Sequence, residues 1–181
     1  METEKILLRN FLEIPYDELE EMNLKAVDRA DKEDPKKLEK EYREYLAKEK
    51  RLKAVTLCFA DIEGKLHMLD YDKHFFLEAS ENLTFDGSSI RGFSELHESD
   101  LRLGIDWGSI RSLPSDVFGP GKVIFFADVL MRDKSAYPSD FRGRLKELTG
   151  NLAKKKDIVA NVAAEIEGFL VDGLNAEQSY S

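Results

Sequence analysis

A single cysteine, Cys58, is all the thiol chemistry in this 181-residue chain, so no disulfide can close within it and the composition suits a reducing cytosol. Lying inside the apolar run Ala54–Phe59, that thiol reads as a small buried hydrophobe rather than a nucleophile. No apolar stretch approaches the roughly 20 residues that span a bilayer. The opening Met1-Glu2-Thr3-Glu4 is acidic and lacks the positive-then-apolar pattern of a signal peptide, so a cytoplasmic location is expected. Basic residues are the minority, 27 against 36 acidic, for a net charge of -9. That balance argues against a nucleic-acid partner, which needs a basic surface, and against a polybasic membrane-surface protein. The three histidines, His67, His74 and His97, are scattered at no spacing that pairs metal ligands on a helix. A Walker-type phosphate loop and a G-x-S-x-G nucleophile turn are both missing, as are internal repeats.

What is present is enough apolar material for a core, 42% of residues, beside a high 35% of charged ones. Residues 1–50 read as a helical, charged extension. Leu19, Met22, Ala26, Val27 and Ala30 recur at helical spacing after Pro15. Asp34-Pro35 pairs an N-cap acid with proline at the first helical position, and predicts a helix over 34–50 with Leu38, Tyr42, Tyr45 and Leu46 as its apolar stripe. From residue 53 the period becomes that of strands. Residues 53–59 and 65–71 flank the turn Asp61-Ile62-Glu63-Gly64 as a hairpin. Asp72 caps a helix over 73–81, residues 109–121 read as loop, and 123–131 as a central strand. Pro138-Ser139 opens a helix carrying Leu145, Leu148 and Leu152, and Ala164–Val171 reads as a last strand. The fold expected is α+β, with boundaries at 1–50 for the extension, 51–135 for a sheet domain and 136–181 for the start of a second domain.

Two clusters could carry chemistry. Phe85-Asp86-Gly87-Ser88-Ser89-Ile90-Arg91-Gly92-Phe93, followed by His97-Glu98-Ser99-Asp100, is by default a turn, with glycine for positive φ and serines as caps. It can also hold Asp86 out as a carboxylate that attracts a cation or takes a proton. Glu165-Ile166-Glu167 puts two carboxylates on one face if extended, a pair that suits hard divalent cations or, as readily, faces solvent on an edge.

The first cluster closely resembles the signature of type I glutamine synthetases, where it lies in the N-terminal β-grasp domain. Phe59-Ala60-Asp61-Ile62-Glu63-Gly64-Lys65, Phe126-Ala127-Asp128-Val129, Tyr137-Pro138-Ser139-Asp140-Phe141-Arg142 and Glu165–Val171 follow in the family's order, although the family usually has proline where Phe141 stands. The resemblance implies a β-grasp-like sheet domain with a helical N-terminal extension and the first helix and strand of a truncated catalytic domain. It implies an enzyme that joins ammonia to glutamate through a γ-glutamyl phosphate made from ATP, with Mg²⁺ or Mn²⁺. Asp86 would bind ammonium and remove its proton, Ser89 would lie beside it, Asp100 would support the loop, and Glu165 and Glu167 would each ligate a metal ion. The family is a homo-oligomer whose Asp86-type loop serves the neighbouring subunit. The family's chains run well past residue 181, so this chain alone is expected to be an inactive part that binds no cofactor tightly. The other readings are a non-catalytic β-grasp interaction module and a ligase relative using another amine.

Overall fold

The computed structural model describes residues 14–93, 100–156 and 158–169. They divide after Glu147 into two units. The first unit opens with helices α1 (Tyr16–Lys32) and α2 (Pro35–Lys48). Pro15 stands at the N-cap of α1, where its missing N–H costs nothing. Asp34 caps α2 as the sequence predicts, its carboxylate accepting from Lys36 N (2.9 Å) and Lys37 N (3.3 Å). Leu38, Tyr42 and Leu46, one turn apart, form the buried face of α2. Each of these leucines contributes about 1.5–3 kcal/mol by leaving water. The apolar N-terminal patch Ile6–Leu12 lies outside the described residues.

Five strands follow in the spatial order β2-β1-β5-β4-β3: β1 (Ala54–Ala60), β2 (Leu66–Asp72), β3 (Thr84–Asp86), β4 (Asp100–Ser112) and β5 (Lys122–Leu130). β1 and β2 are the expected antiparallel hairpin. β1 also runs parallel to β5 at the centre of the sheet, which is why both read as nearly continuous apolar runs. Helix α3 (Lys73–Ala79) is capped by Asp72, as expected. Val55, Leu57, Phe59, Val123, Phe125, Ala127 and Val129 are buried together with Leu19, Leu38 and Leu46, so the helical extension and the sheet share one core. Phe76, Trp107 and Phe125 stack at its centre with ring centroids 5.3–5.8 Å apart. Cys58 is buried, as its apolar surroundings suggest.

Three expectations are corrected. Residues 109–121 are not one loop: 109–112 finish β4 and Ser115–Phe118 is a short helix, α4. The serines misled because their polar groups are used inside the sheet. Ser109 Oγ donates to Asp106 O (2.6 Å) and accepts from Phe126 N (2.7 Å), bridging a bulge. Ser112 is clamped by the Asn23 side chain of α1, which accepts from its N–H (2.8 Å) and donates to its C=O (2.9 Å). The last helix, α5 (Phe141–Lys156), opens at residue 141 rather than at Pro138-Ser139. There the buried Asp140 accepts from Val129 N (3.0 Å), Arg142 N (3.2 Å) and Gly143 N (3.1 Å), tying the helix start to β5. Finally, residues 158–169 of the second unit form no strand. β-prone side chains do not make a strand without a neighbour to complete the ladder, and Val162, Ile166 and Phe169 are more than 90% exposed. Leu170 and Val171 lie outside the described residues.

Candidate functional site

The Asp86 loop is built at the end of β3. Asp86 closes that strand, and Gly87–Ser89 wind into one turn of 3₁₀ helix. One oxygen of the Asp86 carboxylate accepts from Ser88 N (2.9 Å) and Ser88 Oγ (2.6 Å); the other accepts from Ser89 Oγ (2.7 Å). The Ser88 hydroxyl first, then that of Ser89, hold the carboxyl below the usual aspartate range, because each bond favours the charged form. Asp86 is therefore an anion at neutral pH, and it is exposed. Across the antiparallel ladder its Cα partner is Asp100. Directly paired residues share a face, so two exposed carboxylates stand together, with Arg132 Nη2 3.8 Å from Asp100.

The loop is anchored from behind. Phe85 packs on Phe59 (4.6 Å between centroids) and on Phe93 (6.2 Å), and Phe93 meets Tyr137 edge-on (5.4 Å). Gly92 adopts φ +79°, and a Cβ there would collide with the Ile62 side chain in the β1–β2 turn. Both the conformation and the close approach require glycine. Arg91 reaches Glu63 of the same turn (3.1 Å). That turn is fixed by the buried Asp61, which accepts from Glu63 N and Lys65 N (2.9 Å each) and lies 2.8 Å from His67 Nε2. The His67 bond is the first cause of a lowered Asp61 carboxyl. His67 is a strand residue and His74 is on the helix surface, as the sequence suggests. His97, Glu98 and Ser99 lie outside the described residues.

Glu165 and Glu167 are exposed in the irregular stretch 158–169 of the second unit. Among the described residues no group of three or more His, Cys, Asp or Glu could hold a metal ion. Two carboxylates fall short of the six oxygen ligands that Mg²⁺ takes, so these residues do not by themselves fit a resident metal.

A second polar cluster escaped sequence reasoning. Asp106 on β4 and Asp128 on β5 share a face, because Gly104 opposes Asp128 and Asp106 opposes Phe126. From α5, Arg142 binds Asp106 (2.6 Å) and Asp128, and Lys146 lies 2.8 Å from Asp128 and 3.4 Å from Asp106. The available signal was period two in β4, where Leu101, Leu103, Ile105 and Trp107 alternate with Arg102, Gly104, Asp106 and Gly108. This cluster fastens α5 to the sheet. Burial raises the Asp106 carboxyl, but the Arg142 hydrogen bond and the charges of Lys146 and Arg142 outweigh it, and the net shift is downward.

A depressed carboxyl contributes stability that is complete above its unfolded pKa, about 3.9, and is lost as pH falls through the lower folded value. Between about pH 6 and about pH 2 the urea midpoint of the parent chain should therefore fall more steeply than that of Asp106→Asn. Asp140, raised by burial, has the opposite sign but is common to both proteins and cancels. Parallel slopes would show that Asp106 draws no stability from the clamp.

Residues 51–132 match the family model described as glutamine synthetase, beta-Grasp domain. Glutamine synthetase of Methanosarcina mazei is 33% identical over 124 residues, covering 68% of this chain and 28% of that relative. That of Thermotoga maritima is 34% identical over 127 residues, covering 70% of this chain and 29% of the relative. The chain thus spans under a third of the length of these curated relatives. Among solved structures, a Plasmodium falciparum glutamine synthetase seen by cryo-EM superposes with a TM-score of 0.57 at 21% identity, covering 64% of this chain and 22% of that one. GmaS in its ADP complex superposes at 0.55 and 21% identity, over 61% of this chain and 25% of that one. These two likenesses are of fold.

Proposed function

Residues 51–132 belong to the glutamine synthetase β-grasp domain family, and from that membership we infer that this chain supplies the ammonium-side loop of an ATP-dependent ligase joining ammonia to glutamate. The observation that carries the reading is the Asp86 carboxylate, exposed on its loop with both oxygens held by serine hydroxyls. Bonds that favour the charged form make it a fixed negative point, suited to drawing in a cation and steadying it. Asp100, opposite it in the ladder, adds a second negative charge on the same face. Ser89 orients the carboxylate rather than meeting the substrate.

In the assembled ligase ATP is a substrate, and Mg²⁺ or Mn²⁺ would neutralise charge as the phosphoryl group moves. Glu165 and Glu167 are candidates to contribute ligands there, once further oxygen donors surround them. A soluble homo-oligomer in the cytoplasm, with Asp86 reaching a neighbouring subunit's site, is part of the same reading. Among the described residues no helix is long and apolar enough to cross a membrane.

The test is a graft. Residues 51–132 replace the corresponding segment of the Thermotoga maritima relative, and glutamine formation is assayed with ATP, glutamate, ammonium and Mg²⁺. The graft should turn over within about tenfold of the parent. A graft that assembles like the parent yet forms no glutamine would favour a non-catalytic interaction module instead.

A further inference from the structure

We propose that Ile62, carried on the β1–β2 turn, is a positioning residue that closes the Asp86 loop and so fixes its carboxylate. The ammonium-side role of that carboxylate rests on the ligase reading above; the packing that holds it does not. The β3–β4 ladder stops at Asp86. Beyond it the loop's hydrogen bonds are internal. Ile90 N–H donates to Gly87 O (3.0 Å) and Phe93 N–H to Ile90 O (3.1 Å), after the serine bonds to Asp86. Exposed bonds of this kind add little net stability, because water competes for each donor and acceptor. Packing at the two ends is what closes the loop. Phe85, next to Asp86 in the chain, lies on Phe59 of β1 (4.6 Å between centroids), and Phe93 sits 6.5 Å from the same ring. Beside Phe93, the Ile62 side chain fills the space that a Cβ on Gly92 would occupy.

Two contacts join the turn to the end of the loop, and they differ in strength. Arg91 and Glu63 are 3.1 Å apart but both exposed, and surface pairs contribute little. Ile62 is half-buried and meets bare backbone, a steric contact that salt does not screen. Its mount is rigid. The neighbouring Asp61 carboxylate is buried and holds Glu63 N, Lys65 N and His67 Nε2. Asp61 N–H donates to Lys65 O (3.0 Å) and Gly64 N–H to Asp61 O (3.1 Å), so main chain and side chain both close the turn. His67 stacks on Phe59 (5.3 Å), the ring on which Phe85 rests. Turn, ring stack and loop thus form one packed body that ends at Asp86. Misplacing a reacting group by about 1 Å costs up to about 100-fold in rate, so holding this loop bears on turnover as well as on stability.

The first measurement needs no activity. In the full chain, the Asp86 carboxyl carbon is followed by ¹³C NMR against pH, and is assigned by its loss in Asp86→Asn. Ile62→Ala should move the midpoint up toward the ordinary aspartate range, because the serine bonds that lower it are made for less of the time. Asp100 and Arg132, the charged groups beside it, are the same in both proteins, so the shift reports those bonds. The second measurement is made in the graft of residues 51–132. Ile62→Ala should lower kcat/KM for ammonium at least about tenfold and leave the KM values for glutamate and ATP within about twofold. Gly92→Ala should do the same from the other side of the contact. Because both act at one contact, the double variant should be no worse than Gly92→Ala alone, whereas independent effects multiply. Ile62→Val, which removes only the terminal methyl facing Gly92, replaces Ile62→Ala should that variant fail to fold. An unmoved Asp86 titration, an equal loss for all three substrates, or multiplying losses in the double variant would each overturn the proposal. A shifted titration beside a graft that makes no glutamine would uphold the positioning and count against the ligase reading alone.

Discussion

Phe125→Ala is expected to destabilise the chain by about 3–5 kcal/mol. Phe125 is fully buried on β5, the strand flanked by β1 and β4. It stacks on Phe76 of α3 (5.8 Å) and meets Trp107 of β4 edge-on (5.3 Å). Three elements distant in sequence thus meet on one ring. Alanine removes the ring's transfer free energy and leaves a cavity that rigid strands on both sides cannot close. Domains of this size are stable by only about 5–15 kcal/mol, so the variant should lose a large share of its margin and unfold at a much lower urea concentration. Phe169→Ala is the control, since Phe169 is 93% exposed and its loss should change stability by less than about 0.5 kcal/mol. A shift below about 1 kcal/mol for Phe125→Ala would mean that the sheet and α3 do not share this core.

The elements read correctly from sequence are those whose signal is local. The Asp34 and Asp72 caps, the hairpin around Asp61–Gly64 and the apolar run of β5 depend on residues within a few positions of one another. β4 was missed because its evidence is divided. Its first half alternates cleanly, but in its second half Gly108, Ser109 and Ser112 interrupt the apolar pattern, and that half is held by partners far along the chain. Asn23 acts on Ser112 from 89 residues away, and Phe126 acts on Ser109 across the sheet. The run 158–169 failed in the opposite direction. Its composition favours a strand, but a ladder needs a partner, and none of the described residues supplies one.

The candidate site was legible in part. Asp86 and Ser89 lie where the motif suggested, and the ladder sets Asp100 opposite Asp86. That register was hidden in the sequence, because 13 residues separate the two. The Asp106–Asp128–Arg142–Lys146 clamp was also hidden, since its members come from three elements. Glu165 and Glu167 are neighbours in sequence, but the described structure gives them no third ligand.

Asp86 carries the functional account, and its removal should cost more in activity than any other change proposed. In the graft, Asp86→Asn keeps the side chain's shape and its place in the 3₁₀ turn but removes the negative charge. A surface loop residue of this kind should cost well under about 1 kcal/mol of stability, so any loss of turnover is chemical. A charged group that steadies a cation and takes its proton contributes about 10²–10⁴-fold. The measurement is the dependence of glutamine formation on each substrate for the graft and its Asp86→Asn variant. The account expects kcat/KM for ammonium to fall at least about 100-fold while the KM values for glutamate and ATP stay within about twofold. An unchanged kcat/KM for ammonium, or an equal loss for all three substrates, would contradict it.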